Sequence, residues 1–196
     1  MRTLFFAFLG LLFLNSSVSG QSIVFNPKVG YGFSAFENQV EGNNFGDIDT
    51  RLMLNIGADV RIGSGSFFFI TGAHYTKDDT EINNSMVSEV KNSINFIRVP
   101  LQAGLRLTGQ GGILDLHLKG GLINNFFLSS SGNVLLPESA FAKYNSALNF
   151  GIGADLFQLI HVGLEMDWGL NNYFSKDFSF IESKKQAITL SVGIVF

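Results

Sequence analysis

Alternation of apolar and polar residues is the dominant pattern along this chain. In the stretch LIHVGLEMDWGL, residues 159–170, every second residue is apolar, and the positions between them include His161, Glu165 and Asp167. A period of two indicates a β-strand whose two faces meet different surroundings. Seven further stretches repeat the pattern: Lys28–Glu37, Arg51–Ile62, Ser66–Lys77, Asn95–Leu107, Ile113–Asn124, Asn145–Leu156 and Gln186–Phe196.

The connections between these eight predicted strands alternate strictly between short and long. Gly63–Ser66, Thr108–Gly112 and Phe157–Gln158 are short, and the first two carry the glycines expected of tight turns. The long polar connections are Asn38–Thr50, Asp78–Ser93, Phe126–Tyr144 and Asn172–Lys185. Successive connections of a meander lie at opposite ends of the sheet. One end therefore carries turns and the other carries long loops.

Composition narrows the class of protein. The 196 residues are 46% hydrophobic, with 15% charged residues against roughly 25% in ordinary globular domains. Mean hydropathy is +0.26. The absence of cysteine excludes a thiolate nucleophile and a disulfide framework. A net charge of −3 without a basic cluster predicts no nucleic-acid partner.

The N-terminus resembles an export signal. Arg2 precedes the apolar run LFFAFLGLLFL, which small residues follow up to Gly20. We expect residues 1–20 to be a cleaved signal peptide and residues 21–196 to form one outer-membrane β-barrel domain. No apolar run of 18 residues occurs elsewhere, so a helical membrane bundle is not predicted.

Together these patterns predict an all-β fold: an eight-stranded antiparallel up-and-down transmembrane β-barrel in the cell outer membrane. Short turns would be periplasmic and long loops extracellular. Apolar faces would contact lipid, and aromatic residues near their ends, Phe36, Trp168 and Phe196, would lie at the interfaces. The alternative is a soluble lipocalin-like ligand-binding barrel, in which the apolar faces would point inward.

In the membrane barrel, the charged faces form a polar network whose role is structural. Its predicted members are Asp59, Arg61, Arg98, Arg106, Asp115, His117, Lys119, Asp155, His161, Glu165 and Asp167. Hairpin geometry can place Arg106 opposite Asp115, and Asp155 opposite His161. We expect a bulge or local break at Pro100, which removes a ladder donor. The apolar run FFFI leaves the phase of the third strand open.

The chemistry of an enzyme needs a nucleophile or base at an accessible position. Only His74 approaches the loop end, where Asp78, Asp79 and Glu81 follow it. A rim-active hydrolase, of the protease or lipid A deacylase type, is therefore the alternative function. The leading expectation is a non-enzymatic protein with no catalytic residues and no cofactor. No metal site is expected either, because no His-x-His or His-x-x-Glu-His spacing occurs.

The stretch FIRVPLQAGLRL, residues 96–107, resembles the fourth-strand signature of the PorT-like outer-membrane β-barrel family of Bacteroidetes. The strand end HYTK, residues 74–77, and the closing LSVGIVF are similar too. This resemblance implies an outer-membrane barrel with a scaffold or surface-loop binding role in the envelope or in type IX-like protein secretion. Expected partners are outer-membrane lipid and lipopolysaccharide, the outer-membrane assembly machinery and secretion-complex proteins. Phe196, which ends the alternating last strand, is the expected assembly signal.

Overall fold

Eight long β-strands make up nearly all of the fold. The computed structural model describes residues 22–38, 48–84, 87–108, 112–132, 138–173, 175 and 183–196. The strands are β1 (Ser22–Asn38), β2 (Ile48–Gly63), β3 (Phe67–Asn84), β4 (Val87–Arg106), β5 (Leu114–Gly132), β6 (Tyr144–Leu156), β7 (Ile160–Gly169) and β8 (Ser183–Ile194), with one 3-10 turn at Glu138–Ala140.

Each strand pairs antiparallel with its neighbours in sequence, and β8 pairs with β1 to close the barrel. The closing seam continues past the last ladder pair. Phe25 and Phe196 exchange backbone hydrogen bonds at 3.0 and 2.9 Å. The eight-stranded up-and-down barrel predicted from the sequence is thus confirmed. A closed sheet has no edge, so the backbone groups along its seam are paired even where water is absent.

Burial divides every strand into two faces. Polar and charged side chains fill the lumen, whereas large apolar residues such as Phe69, Leu118 and Leu190 lie exposed on the outside. The soluble lipocalin-like alternative is wrong, because it requires the opposite arrangement. The open phase of β3 is also settled, since Phe68, Ile70 and His74 are buried in the lumen.

The strands extend further toward the loops than apolar alternation predicts. β3 ends at Asn84 and β4 begins at Val87. Most of the predicted loop 78–93 is therefore a paired hairpin. Backbone pairing can continue where a strand leaves the membrane, because polar side chains are then hydrated on both faces. The four irregularities in register, such as the one between Asn95 and Phe96, all lie toward this end.

Pro100 causes an interruption of the ladder and no bulge. On the β3 side, the ladder pairs Thr71 with Leu101 and next His74 with Arg98, so pairing is interrupted between them but the register does not shift. On the β5 side, Pro100 pairs with Ile123. The local break expected at this residue is present. A strand that lacks one N–H keeps its direction because the pairing with β5 is continuous there.

The β6–β7 turn has an unusual backbone. Phe157 and Gln158 have φ angles of 54° and 58°, and Leu159 N donates to Leu156 O at 3.0 Å. Two left-handed residues in a two-residue hairpin define a type I′ turn, which Asn-Gly normally forms. The proposed signal peptide, residues 1–20, lies outside the described residues. No helix in the described part of the chain is long and apolar enough to span a membrane.

Candidate functional site

Glu165 is the centre of an ion-pair cluster at mid-depth in the lumen. It accepts hydrogen bonds from Lys28 Nζ at 2.8 Å and from Lys119 Nζ at 2.7 Å. Arg98 Nη2 lies 3.9 Å from the other carboxylate oxygen. All four side chains are buried. One carboxylate therefore faces three cations contributed by β1, β4 and β5.

Two further carboxylates balance those cations. Asp59 lies 2.8 Å from Lys28 Nζ and 2.7 Å from His74 Nε2. Asp167 accepts from Arg98 Nη2 at 2.9 Å and from Asn149 Nδ2 at 2.6 Å. Such buried pairs are stable only when each charge is matched and hydrogen-bonded, which is the case here.

A second cluster lies nearer the short turns. Both Asp155 oxygens accept from Arg61, and Asp155 Oδ1 lies 2.7 Å from His161 Nδ1. The His117 and His161 rings stack with centroids 5.6 Å apart. Near the turns, Arg106 Nε donates to Asp115 at 3.1 Å.

Phe68 covers this second cluster from the turn side. Its ring meets the edge of His117 at a centroid distance of 5.5 Å, and the Arg106 guanidinium lies 4.9 Å from the ring centre. A Cβ atom on Gly104 would overlap the Phe68 ring, so this glycine provides the space for the ring.

The loop end of the lumen has a different chemistry. Lys185 donates to Asp78 and lies 5.8 Å from the ring of Tyr173. Burial and the neighbouring Asp78 raise the pKa of the Tyr173 phenol well above its usual value. A vestibule opens here, lined by residues that include Phe96, Asn145 and Tyr173.

The lumen charges balance. The buried charged side chains are the cations Lys28, Arg61, Arg98, Arg106 and Lys119 and the carboxylates Asp59, Asp78, Asp115, Asp155, Glu165 and Asp167. Half-buried Lys185 pairs with Asp78 and makes six of each among the described residues. A narrow eight-stranded lumen packed with matched charges is the arrangement expected of a plug, in keeping with the small diameter of such barrels.

The outer surface has two aromatic rims. Phe25, Phe67, Phe157 and Phe196 are exposed near the short turns, and Tyr31, Phe33, Tyr75, Phe126, Tyr144 and Trp168 are exposed toward the loops. From Phe25 to Phe33 the strand advances about 20 Å along the barrel axis at a tilt of roughly 40°. That separation fits the apolar band of an outer-membrane barrel, about 25 Å tall. The side chain of Phe36, predicted to join a rim, is outside the described set.

All eleven residues predicted for the polar network point into the lumen and are buried. The ion pairs Arg106–Asp115 and Asp155–His161 are both present. The predicted register is correct for Asp155, which lies opposite His161, but wrong for Arg106, which lies opposite His117 and reaches Asp115 diagonally. The purely structural role given to these residues stays a prediction.

Sequence reasoning missed several lumen residues: Lys28, His74, Asp78, Gln102, Asn149 and Lys185. Lys28 lies in phase with Gly30, Gly32 and Ser34, and β1 begins six residues before the predicted start. Lys28 is the first residue of the predicted strand 28–37, so the alternation already places it on the inward face. Asp78 and Lys185 lie at the ends of the predicted loops 78–93 and 172–185.

The geometry does not provide the rim pair that the hydrolase alternative needs. His74 is only 3% exposed, and it contacts Asp59 inside the lumen. Asp78 binds Lys185, and Asp79 accepts from Ser93 Oγ at 2.5 Å. The side chain of Glu81 is outside the described set. The expectation that the chain is not an enzyme stays a prediction.

Known structures with this fold are outer-membrane barrels. The outer membrane protein OprG from Pseudomonas aeruginosa superposes with a TM-score of 0.55 at 8% identity, covering 90% of this chain and 96% of that one. Neisserial surface protein A gives 0.53 at 13% identity, covering 90% and 99%. No protein-family model and no curated protein sequence matches the chain. At these identities the likeness concerns the fold alone.

A closed eight-stranded barrel with a charged lumen, an apolar exterior and two aromatic rims is a transmembrane β-barrel of the outer-membrane class. The protein is located in the cell outer membrane. By the rule for this class, the short-turn end faces the periplasm and the loop end faces the outside.

Proposed function

We propose that this protein is a non-conducting outer-membrane barrel that acts by binding a partner at its loop end. The observation that carries the proposal is the contrast between a lumen filled by matched ion pairs and a loop end that extends beyond the membrane. The β3–β4 hairpin reaches Asn84 and Val87, well past the aromatic rim at Tyr75. Solute passage would require breaking several buried pairs, whereas a binding surface requires only the exposed hairpins.

The partner, in this proposal, is a protein of the secretion apparatus or its cargo. Support comes from the resemblance of residues 96–107 to the PorT-like family, whose name-giving members take part in protein secretion through the type IX system. The outer wall meets lipid and lipopolysaccharide, which leaves the loop end and the periplasmic turns for protein contacts.

Conductance tests the first half of the proposal. Purified protein in planar bilayers should show no steady single-channel current at neutral pH. A stable, large conductance from the eight-stranded monomer would contradict the plug. The variant Arg98→Ala with Asp167→Ala, which removes two plug side chains at once, should admit small ions if it folds, and it serves as the positive control.

Shortening the β3–β4 hairpin tests the second half. Residues 81–91 are replaced by Asn-Gly, which keeps the Thr80–Asn92 pair and the register of the hairpin. Surface crosslinking on intact cells is followed by identification of the captured proteins. Capture of secretion components or cargo should be lost, whereas an equivalent replacement of the short turn Gly63–Ser66 should leave it unchanged. Retained capture after every loop has been shortened in turn would contradict binding at this end.

Orientation is checked with two matched serines. Ser64 is exposed in a short turn and Ser131 is exposed near the loop end of β5. A membrane-impermeant maleimide on intact cells should label Ser131→Cys and spare Ser64→Cys. The reverse labelling would invert the proposed binding face.

A further inference from the structure

Two histidines and one aspartate from three strands meet in the periplasmic half of the lumen. His117 is on β5, Asp155 on β6 and His161 on β7, and one potential ligand atom from each lies within 4.8 Å of the other two. All three side chains are buried. No spacing along the chain indicates such a group, because the barrel brings the residues together across β6.

Gly153 creates the space in which the two imidazoles meet. It pairs with His117 on one side and with Gly163 on the other. A Cβ atom on Gly153 would overlap His117 Nε2 and lie 2.9 Å from His161 Cε1. Any larger residue would close this space.

The two Nε2 atoms are buried and have no hydrogen-bond partner among the described residues. A buried polar atom without a partner costs free energy, so such an atom needs an explanation. His161 Nδ1 has two polar contacts: the acceptor Asp155 Oδ1 at 2.7 Å and the donor Arg61 Nη2 at 3.1 Å. The shorter contact, with the carboxylate, is favourable only if Nδ1 carries the proton. The remaining nitrogen, Nε2, then presents a lone pair.

A carboxylate that holds the far nitrogen of a histidine is the usual support of a metal ligand. Arg61 lies close to the group, but Asp155 neutralises its charge by accepting from both of its terminal nitrogens. The net local charge offered to a cation is therefore near zero. Imidazole nitrogen selects borderline transition metals over Mg²⁺ and Ca²⁺.

We infer that His117 and His161, supported by Asp155, form a binding site for one borderline divalent transition-metal ion such as Zn²⁺, Cu²⁺ or Ni²⁺. The ligands are the two Nε2 atoms, and Asp155 supports His161 from the Nδ1 side of its ring. Tetrahedral Zn²⁺ with nitrogen ligands needs ligand atoms roughly 3.4 Å apart. The two rings stack nearly parallel with centroids 5.6 Å apart, so they must rotate about their side-chain bonds to bind the ion. Phe68 lies between the site and the periplasmic mouth and would control access to it.

The test uses tag-free protein refolded in detergent, treated with a chelator and titrated with Cu²⁺ or Zn²⁺ alone. Calorimetry should show one Zn²⁺ per chain and no binding of Mg²⁺. Pulsed electron paramagnetic resonance of the Cu²⁺ form should show two coordinated imidazoles. This measurement on the wild-type protein does not depend on whether any variant folds.

Three histidine variants locate the site, since the chain has three histidines. His117→Gln and His161→Gln should each reduce the count to one imidazole and weaken Zn²⁺ binding roughly tenfold or more. His74→Gln is the matched control, because His74 is equally buried but bonds Asp59 in the other cluster. Heat-modifiable migration in electrophoresis verifies that each variant is folded.

Three results would overturn the inference. The first is the absence of Zn²⁺ and Cu²⁺ binding to wild-type protein at submillimolar metal. The second is a Cu²⁺ spectrum without two imidazoles. The third is unchanged binding in the folded double variant His117→Gln with His161→Gln.

Discussion

Leu164 and Glu165 are adjacent on β7, yet the two faces they belong to are stabilised in different ways. Leu164 is 45% exposed on the outer wall, where lipid takes the place of water. Glu165 contacts three cations inside the lumen. On the outer face, each residue contributes through its own transfer into lipid. On the inner face, each residue contributes through partners, so its effect depends on what the neighbours carry.

Tolerance to substitution should therefore differ between the two faces of one strand. Outer positions should accept any apolar residue. A charged residue there should lower the stability most at mid-membrane and least near the interfaces. Inner positions should accept a change only when a complementary change accompanies it.

Removal of Glu165 should cost the most. Glu165→Ala leaves Lys28, Lys119 and Arg98 with too little negative charge around them, and loss of one partner of a buried pair costs about 3–5 kcal/mol. Urea titration of protein folded in lipid vesicles measures the change. If the inner face is coupled, adding Lys119→Met to Glu165→Ala should recover part of the loss. A loss in the double variant equal to the sum of the losses in Glu165→Ala and Lys119→Met alone would mean that the inner residues act independently.

A charge on the outer wall should cost somewhat less and should depend on depth. Leu164→Arg places a cation at mid-membrane, where the cost is about 2–4 kcal/mol, while Ile23→Arg near the periplasmic rim should cost about 0–1 kcal/mol. The same vesicle titration applies to both. Equal costs at the two depths would contradict the assignment of the apolar belt. Leu164→Phe is the apolar control and should change the stability little.

Phe196 separates folding from assembly. Its backbone pairs with Phe25, and its side chain is 65% exposed to the outside. As a lipid contact it contributes at most about 1.5–3 kcal/mol, so Phe196→Ala should refold in detergent nearly as well as wild type. We propose that the aromatic terminus also serves as the assembly signal.

In cells, deletion of Phe196 should then sharply lower the amount inserted in the outer membrane. Quantification of outer-membrane fractions provides the measurement, and Ile194→Ala, one step earlier on the same face, is the control. Wild-type insertion of the deletion variant would exclude the signal role and leave only a lipid contact.

The smallest effect on stability is expected at the aromatic rim toward the loops. Tyr75 donates to Asn95 Oδ1 at 2.7 Å on the exposed side of the β3–β4 hairpin. Tyr75→Phe removes this bond but keeps the ring, and an exposed hydrogen bond contributes about 0.5–1.5 kcal/mol at most. A loss as large as that of Glu165→Ala would mean that Tyr75 is not at a hydrated boundary.

Apolar alternation predicted the strands, their order and the direction of most side chains, because one face of a spanning strand must be apolar throughout. It did not predict where strands end outside the membrane, since the lipid constraint is absent there. This is why β3 and β4 exceed their predicted bounds. The phase of β3 was hidden because Phe68 and Ile70 fill the lumen beside outward Phe67 and Phe69.

Which residues face the lumen is easier to predict from the sequence than which of them contact one another. Hairpin neighbours such as Arg106 and Asp115 follow from local sequence. Lys28 and Glu165 are 137 residues apart and meet only because the barrel closes with a particular stagger between strands. The group formed by His117, Asp155 and His161 is invisible to spacing rules for the same reason.

The β6–β7 turn carries a consequence for how the barrel is built. Phe157 and Gln158 occupy backbone conformations that cost roughly 1–2 kcal/mol each for residues with a side chain. Asn-Gly would form the turn more readily, but it would remove an aromatic ring that is 69% exposed at the periplasmic rim. A ring in the headgroup region fixes the vertical position of the hairpin in the bilayer. The turn thus has a lower intrinsic turn propensity than Asn-Gly but gains an aromatic anchor in the lipid headgroup region. An Asn-Gly replacement should give a hairpin that forms faster but whose depth in the bilayer is less well fixed.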